Sequence, residues 1–455
     1  MKYAIALLLV LLQTTACNKK ALLNEKQGTA IIVPTTPVDL QALLDNDDVF
    51  APTTSFNFVC ADEFYFAETA LPGLKQSIVN AYLHKDFFFD AAEEVPDWNN
   101  AYTQVYYANN VLEGVKRLQG SIDEKIVNPL AGDAYFKRSF AFFNAAQIFA
   151  LPYDSLTAAD EPGIPLRLTI NRDENLKRSS VAATYQQIIE DLKIAINWLP
   201  ATVDSAHRNR SNRPAACALL ARVYLSMGAY VPALEAAKRS LSYDSLIDFN
   251  AAITKPLLLA SAANKETLYQ SRIASNGDGL YEAMVKRDVF VDSTLLREYK
   301  SGDLRRNLFF TNTVLPPNFK SGYYGQLYPF TGLGTAEQFL IVAECYARQG
   351  DVANGLFYLN KLLKSRWKTG QYIPYTAATP EMALHAILHE RKKELVFRGL
   401  RWTDVRRLNK KDSMLTLSRT MQGHTYELLP NSRRYALPVP EQVRRFNDSI
   451  HQNKY

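Results

Sequence analysis

The residues best placed for recognition chemistry in this chain are aromatic, and they come in clusters. Phe56 and Phe58, Phe64 to Phe66, Phe87 to Phe89, Trp98, Tyr106 and Tyr107 form the first series, and Tyr323, Tyr324 and Tyr328 the second. A sugar ring has an apolar C–H face that stacks on such planes, while amides and carboxylates take its hydroxyls. That division of labour is general in binding pockets. Asp62, Glu63 and Asn99 stand beside these rings in sequence. Rings on helical faces, such as Tyr106, Phe140 and Phe143, are assigned to the core, and those in irregular segments to a surface. The expected ligand-binding set is Asp62, Phe64, Tyr65, Trp98, Asn99, Tyr323 and Tyr324.

Covalent chemistry finds little support. Glu390, Glu394 and Asp404 are possible catalytic carboxylates, but basic and apolar residues are interleaved with them. Glu390 and Glu394 share one helical face, and Arg391, Arg401 and Asp404 are expected to close an ion-pair network behind it. His385 and His389 have the i,i+4 spacing of a metal pair, yet Ala386 stands where a zinc protease needs glutamate. The Gly332-Leu333-Gly334 run lacks a third glycine and a preceding strand, so it reads as a helix entry with Thr335 near the N-cap. No nucleophile elbow, P-loop or CxxC pair occurs. No catalytic residue, metal or cofactor is therefore expected. A hydrolytic pair of acids is recognised only by its separation in space, which leaves a surface glycoside hydrolase as an alternative.

The composition sets the frame. The chain has 455 residues, 47% hydrophobic and 22% charged, with 52 basic against 46 acidic side chains. That is ordinary for a globular protein, and an excess of +6 spread along the chain gives no nucleic-acid footprint. Lys2 followed by an apolar run to Leu12 reads as a signal peptide over residues 1–16. Thr14, Thr15 and Ala16 precede Cys17, which is the expected lipidation site. Residues 17–36 then form a lipidated tether. No later stretch approaches the roughly 20 uninterrupted apolar residues of a membrane span. Cys60, Cys217 and Cys345 remain, an odd and scattered set that reads as buried thiols.

Residues 37–455 are expected to form a single, mainly α domain. Helices are expected at 39–44, 74–84, 99–118, 123–149, 182–199, 213–227, 230–241, 335–349, 352–364 and 380–398. An internal repeat is the strongest organising signal. Leu219 to Tyr224, then Gly228, Ala233 and Leu241, is matched by Ile341 to Tyr346, then Gly350, Gly355 and Leu363. Each copy is a helix, a glycine turn and a second helix, which is tetratricopeptide grammar. Such pairs must stack to bury their apolar faces. Helical repeats are placed at about 99–241 and 335–398, with a loop-rich inserted subdomain at about 242–334.

The C-terminal third carries a specific resemblance. The run from His389 to Arg407, with Glu390, Arg391, Glu394, Phe397, Gly399, Arg401, Trp402 and Asp404, resembles the signature of the SusD/RagB family. Ala336 to Gly350 and Leu359 to Arg366 are similar to that family's last repeat helices. Tyr435 to Pro440, Asn447, Gln452 and Asn453 resemble its closing segment, and Trp98 to Tyr102 with Ala108 to Leu112 fit its first repeat helix. Arg398 departs from the family, which commonly has glutamate there; paired with Glu394 at i,i+4, it keeps a local ion pair in expectation. The resemblance implies a lipid-anchored, surface-exposed outer-membrane protein of Bacteroidetes. Such a protein binds an oligosaccharide or similar nutrient and passes it to a SusC-like TonB-dependent transporter. A plain tetratricopeptide interaction scaffold is the other alternative.

Overall fold

The apolar periodicity of the sequence becomes ten helices of eight or more residues, counted among the described residues. They are α1 (Pro37–Leu44), α2 (Pro96–Leu118), α3 (Glu124–Phe149), α4 (Val181–Trp198), α5 (Arg213–Ser226), α6 (Tyr230–Ser240), α7 (Thr335–Arg348), α8 (Val352–Lys364), α9 (Pro380–Glu394) and α10 (Arg401–Lys411). The computed structural model describes residues 34–454, apart from 172, 256–258, 260–262, 275–276, 312–314, 321, 325–327 and 412–414. The expected signal peptide, Cys17 and all but the end of the tether lie outside the described residues. Residues 36–455 make one compact unit, and of the unit 1–35 only Pro34 and Thr35 are described. No helix among the described residues is long and apolar enough to cross a membrane.

Local signals set the helix ends. Thr36 caps α1 with a capping box to Asp39, and Ser180, Asn212, Asp351 and Thr379 accept first-turn N–H groups of α4, α5, α8 and α9. The repeat turns close at Gly228 and Gly350, with φ of 70° and 84°, a left-handed backbone that any side chain would strain. Gly355 serves a different purpose. A Cβ there would stand 3.1 Å from the Ala343 carbonyl, so its absence lets α8 lie close on α7. Tyr346 and Tyr358 stack across that crossing with ring centroids 6.0 Å apart. Gly334 rather than Thr335 is the N-cap of α7; the Thr335 hydroxyl instead donates to the Ser245 carbonyl.

The helices pack in chain order, α2 on α3, α3 on α4, α4 on α5, and so on to α9. Although 94 residues separate α6 from α7, these two helices are neighbours, so the stack runs through the insertion uninterrupted. The mainly α, tetratricopeptide-like scaffold is what the repeat spacing implies. Cys60, Cys217 and Cys345 are free and buried.

The rest of the architecture is built from short strands: β1 (Pro52–Thr53), β2 (Phe64–Phe66), β3 (Pro162–Pro165), β4 (Arg178–Ser180), β5 (Thr267–Tyr269), β6 (Arg272–Ile273), β7 (Val289–Val291), β8 (Leu333–Gly334), β9 (Leu417–Met421) and β10 (His424–Leu428). They pair two by two. Parallel β1–β6 and antiparallel β2–β7 join the segment before the first repeat to the insertion, in registers Pro52 to Arg272 and Phe64 to Val291. The Lys75 amide also donates to the Asp278 carbonyl and the Ala67 amide to that of Asp288. A continuous seam results, and it positions the exposed aromatics.

Candidate functional site: an aromatic ledge on the seam

Three side chains stack where the insertion meets the N-terminal segment. The Tyr281 and Tyr328 rings lie parallel within 9°, with centroids 4.3 Å apart. The Arg272 guanidinium carbon sits 4.6 Å from the Tyr328 centroid. A 4.3 Å gap between rings admits nothing, so the guanidinium must cover the opposite face of Tyr328. The order is Arg272, Tyr328, Tyr281, with Tyr281 the end layer. A hydrogen bond to Tyr328 raises the Tyr281 hydroxyl pKa, which ties the two phenols together. Tyr324 meets the Tyr328 ring edge-on at 6.3 Å. Each residue has a backbone anchor: Arg272 is in β6, Tyr281 opens the short helix Leu280–Val285, and Phe330 bridges back to Arg272. On the same seam, Tyr65 of β2 faces Phe290 of β7 at 5.4 Å, and its side chain is 37% exposed. Rings held this way are already ordered before a ligand arrives.

Several expected ligand residues are elsewhere. Phe64 is fully buried, stacked on Phe58 at 4.4 Å, so it has no free face. Tyr323 is buried beneath the Arg398 guanidinium, 3.9 Å from its ring, and its hydroxyl donates to Glu266 at 2.5 Å. Trp98 is 5% exposed and packs on Tyr102 and Phe149. Phe64 and Tyr323 correct the expectation, because strand pairing and packing cover rings in segments that read as surface, whereas Trp98 still lines a cavity with Tyr102 and Phe446. Asp62 is engaged in a bidentate ion pair with Arg401, at 2.6 and 2.9 Å. Asn99 is exposed on α2. Tyr65 and Tyr324 remain on the seam, where they join Tyr281, Phe290 and Arg272, none of which the sequence singled out. Its one local cue was the Gly277-Asp278-Gly279 turn immediately before Leu280 and Tyr281.

The carboxylates that look most catalytic are structural. Burial alone would raise Asp62, but the Arg401 charge and hydrogen bonds hold it well below the usual carboxylate range. Its neighbour Glu63 is pushed up to about 8, by burial first and by the Asp62 charge second. One acid ionised and the other protonated resembles a hydrolase pair, yet Glu63 is 1% exposed and accepts from the Phe397 amide. Burial likewise lifts Asp97 to about 7, while it accepts from Ser55 and the Phe56 amide.

Glu63 carries a pH signature. Its folded pKa exceeds the ordinary 4.5, so its contribution is complete below pH 4.5 and is lost as pH rises towards 8. Asp97 acts in the same direction but finishes near pH 7. Between pH 7 and 8 the wild type should lose up to about 1.4 kcal/mol per pH unit from Glu63. Glu63→Gln should flatten that slope in urea titrations at the two pH values. An unchanged slope would mean that Glu63 is ionised in the fold.

The expected network around α9 exists with different partners. Glu394 does not pair with Arg398, because α9 ends at Glu394 and Phe397 and Gly399 turn left-handed, at φ 57° and 67°. Glu394 instead receives Arg366 at 3.0 Å, and Arg305 bridges Glu390 at 2.6 Å and Asp303 at 2.7 Å. Arg391 does bind Asp404, and Arg407 links Asp404 to Glu344; Arg401 is taken by Asp62. His389 faces Glu298 at 3.4 Å, and among the described residues no group of side chains is arranged to hold a metal.

Two family models match the chain. One, described as starch-binding and associating with the outer membrane, covers residues 23–225, and the SusD family model covers 309–455. The chain belongs to the SusD family. Among its relatives is SusD-like protein P2 of Formosa agariphila, 24% identical over 72% of this chain and 67% of that protein. Solved structures of the SusD superfamily share the fold. One from Bacteroides thetaiotaomicron has a TM-score of 0.76 at 22% identity, covering 92% of this chain and all of that one. A SusD-like carbohydrate binding protein from Bacteroides vulgatus has 0.71 at 17%, covering 92% and 98%. Surface glycan-binding protein A from Bacteroides fluxus has 0.69 at 16%, covering 92% and 99%.

Proposed function

We propose that this SusD-family protein captures an oligosaccharide on the seam ledge and delivers it to a SusC-like TonB-dependent transporter. The single observation that carries the reading is the Arg272–Tyr328–Tyr281 stack. A sugar ring laid on the outer face of Tyr281 extends the stack by one layer, and Tyr65 with Phe290 receives a further residue of the chain. The mechanism is stacking and hydrogen bonding on a surface that is already built, with no bond made or broken. Modest affinity suits such a carrier, since the ligand must leave again. Cys17 would bear the lipid that holds the protein to the outer membrane, with residues 17–36 as its tether and the ledge exposed at the cell surface. The names of two fold relatives, a carbohydrate binding protein and a surface glycan-binding protein, support the ligand class.

Isothermal calorimetry against neutral, amino and acidic oligosaccharides, with chromatography of each mixture afterwards, tests this. Binding without new, shorter products is expected. Turnover that one carboxylate substitution abolishes would establish a hydrolase instead.

A further inference from the structure

A broad cavity lies away from the ledge residues, against the last repeat. It has a volume of about 930 Å³, and its walls are α8, the strap 365–374 and the short helix Phe249–Thr254. One face of α8 is spent on the core through Leu356, Leu359, Leu362 and Leu363. The cavity face carries Phe357, Asn360, Lys361 and Lys364, which recur at the i, i+3, i+4 and i+7 positions of one helical stripe. Phe357 is 59% exposed there, a large apolar ring left in water.

The walls are fixed. Tyr372 donates to Asn360 at 2.5 Å, Asn360 in turn donates to the Tyr375 carbonyl, and Asn250 holds the strap through Trp367 and Thr369. The charges are unequal. Lys361 is matched by Asp244, and Asp248, an acid on the cavity wall, keeps its charge while one of its oxygens accepts from the Asn250 amide and side chain. Lys364 and Lys368 are exposed and have no acidic partner within ion-pair distance among the described residues. Two ammonium groups against the one carboxylate of Asp248, beside an exposed ring and a fixed wall, are complementary to an anion carried on a flat, partly apolar body.

We propose that this cavity is a second glycan site, selective for sugars bearing a carboxylate or sulfate. The anionic group binds Lys364 and Lys368, and the sugar's C–H face rests on Phe357. This inference rests on the glycan-binding reading above, but uses none of the ledge residues. It supplies a charge preference that the ledge, with its single engaged arginine, does not.

Calorimetry with a galacturonate hexamer, a sulfated galactose hexamer and neutral maltohexaose tests it on the whole protein. The proteins compared are wild type, Lys364→Gln/Lys368→Gln, Phe357→Ala and Tyr281→Ala. At least one acidic hexamer should bind the wild type, weaken by about tenfold in the double lysine variant, and weaken again between about 50 and 500 mM salt. The uronate and sulfate arms show which anion is preferred. Phe357→Ala should also weaken it, and whatever acidic-hexamer binding survives in Tyr281→Ala should keep its salt dependence. Loss with Tyr281→Ala and not with the lysine variant would assign all binding to the ledge and overturn the second site. No binding by either acidic hexamer, or maltohexaose binding that the lysine variant abolishes equally, would also overturn it. All substituted side chains are exposed or half-buried, and an unchanged unfolding midpoint confirms that each variant folds.

Discussion

Arg366→Leu should destabilise the protein by about 3–5 kcal/mol at pH 7, the cost of leaving buried charges without their partner. Arg366 is fully buried. It donates to both carboxylate oxygens of Glu266 at 2.9 Å, to Glu394 at 3.0 Å and to the Ile247 carbonyl at 2.9 Å. Leucine fills much of the volume but leaves Glu266 with only Tyr323 and the Ile247 amide, and leaves Glu394 with Arg305 at 3.4 Å. The insertion would lose one tie to α9, from Glu266 through Arg366 to Glu394, and keep the one from Arg305 to Glu390. The exposed pair of Arg433 with Glu161 provides the contrast; Glu161→Gln should change stability by less than about 1 kcal/mol. Urea unfolding midpoints measure both. A loss below about 1 kcal/mol for Arg366→Leu would mean that the network is hydrated and loose.

Removal of the ledge should have the opposite profile, with binding lost and stability kept. Tyr281→Ala takes away the end layer on which the sugar is proposed to rest. Tyr328→Ala leaves Tyr281 without its parallel partner, so it should weaken binding nearly as much. Each is expected to cost at least tenfold in affinity, about 1.4 kcal/mol. The double variant should lose less than the product of the two, because contacting residues do not act independently. Stability should change by about 1 kcal/mol or less, since both rings are half-buried and outside the core. Calorimetry with the oligosaccharide that binds the wild type reads the affinity, and thermal unfolding reads the stability. Equal affinities in wild type and double variant would remove the ledge from the account.

The helices were legible because their information is local. Periodic apolar residues, capping side chains and the glycines at 228 and 350 act within a few positions of themselves. The seam was not, because its strands are two or three residues long and their partners are more than 200 residues away, as with Pro52 and Arg272. Exposure of a ring in an irregular segment depends on those same distant pairings. Tyr65 and Phe64 are adjacent in β2, yet strand alternation sends one outwards and the other into the core. A continuous helix would pair Arg398 with Glu394. The left-handed turn at Phe397 moved it over Tyr323 instead.

Hydrogen–deuterium exchange with a saturating neutral oligosaccharide asks most directly where the ligand sits. The account predicts slowed exchange at the amides of residues 64–67, 272–273, 280–285 and 288–291, with the helices α2 to α6 unchanged. Protection confined to those repeat helices, with none along the seam, would contradict it.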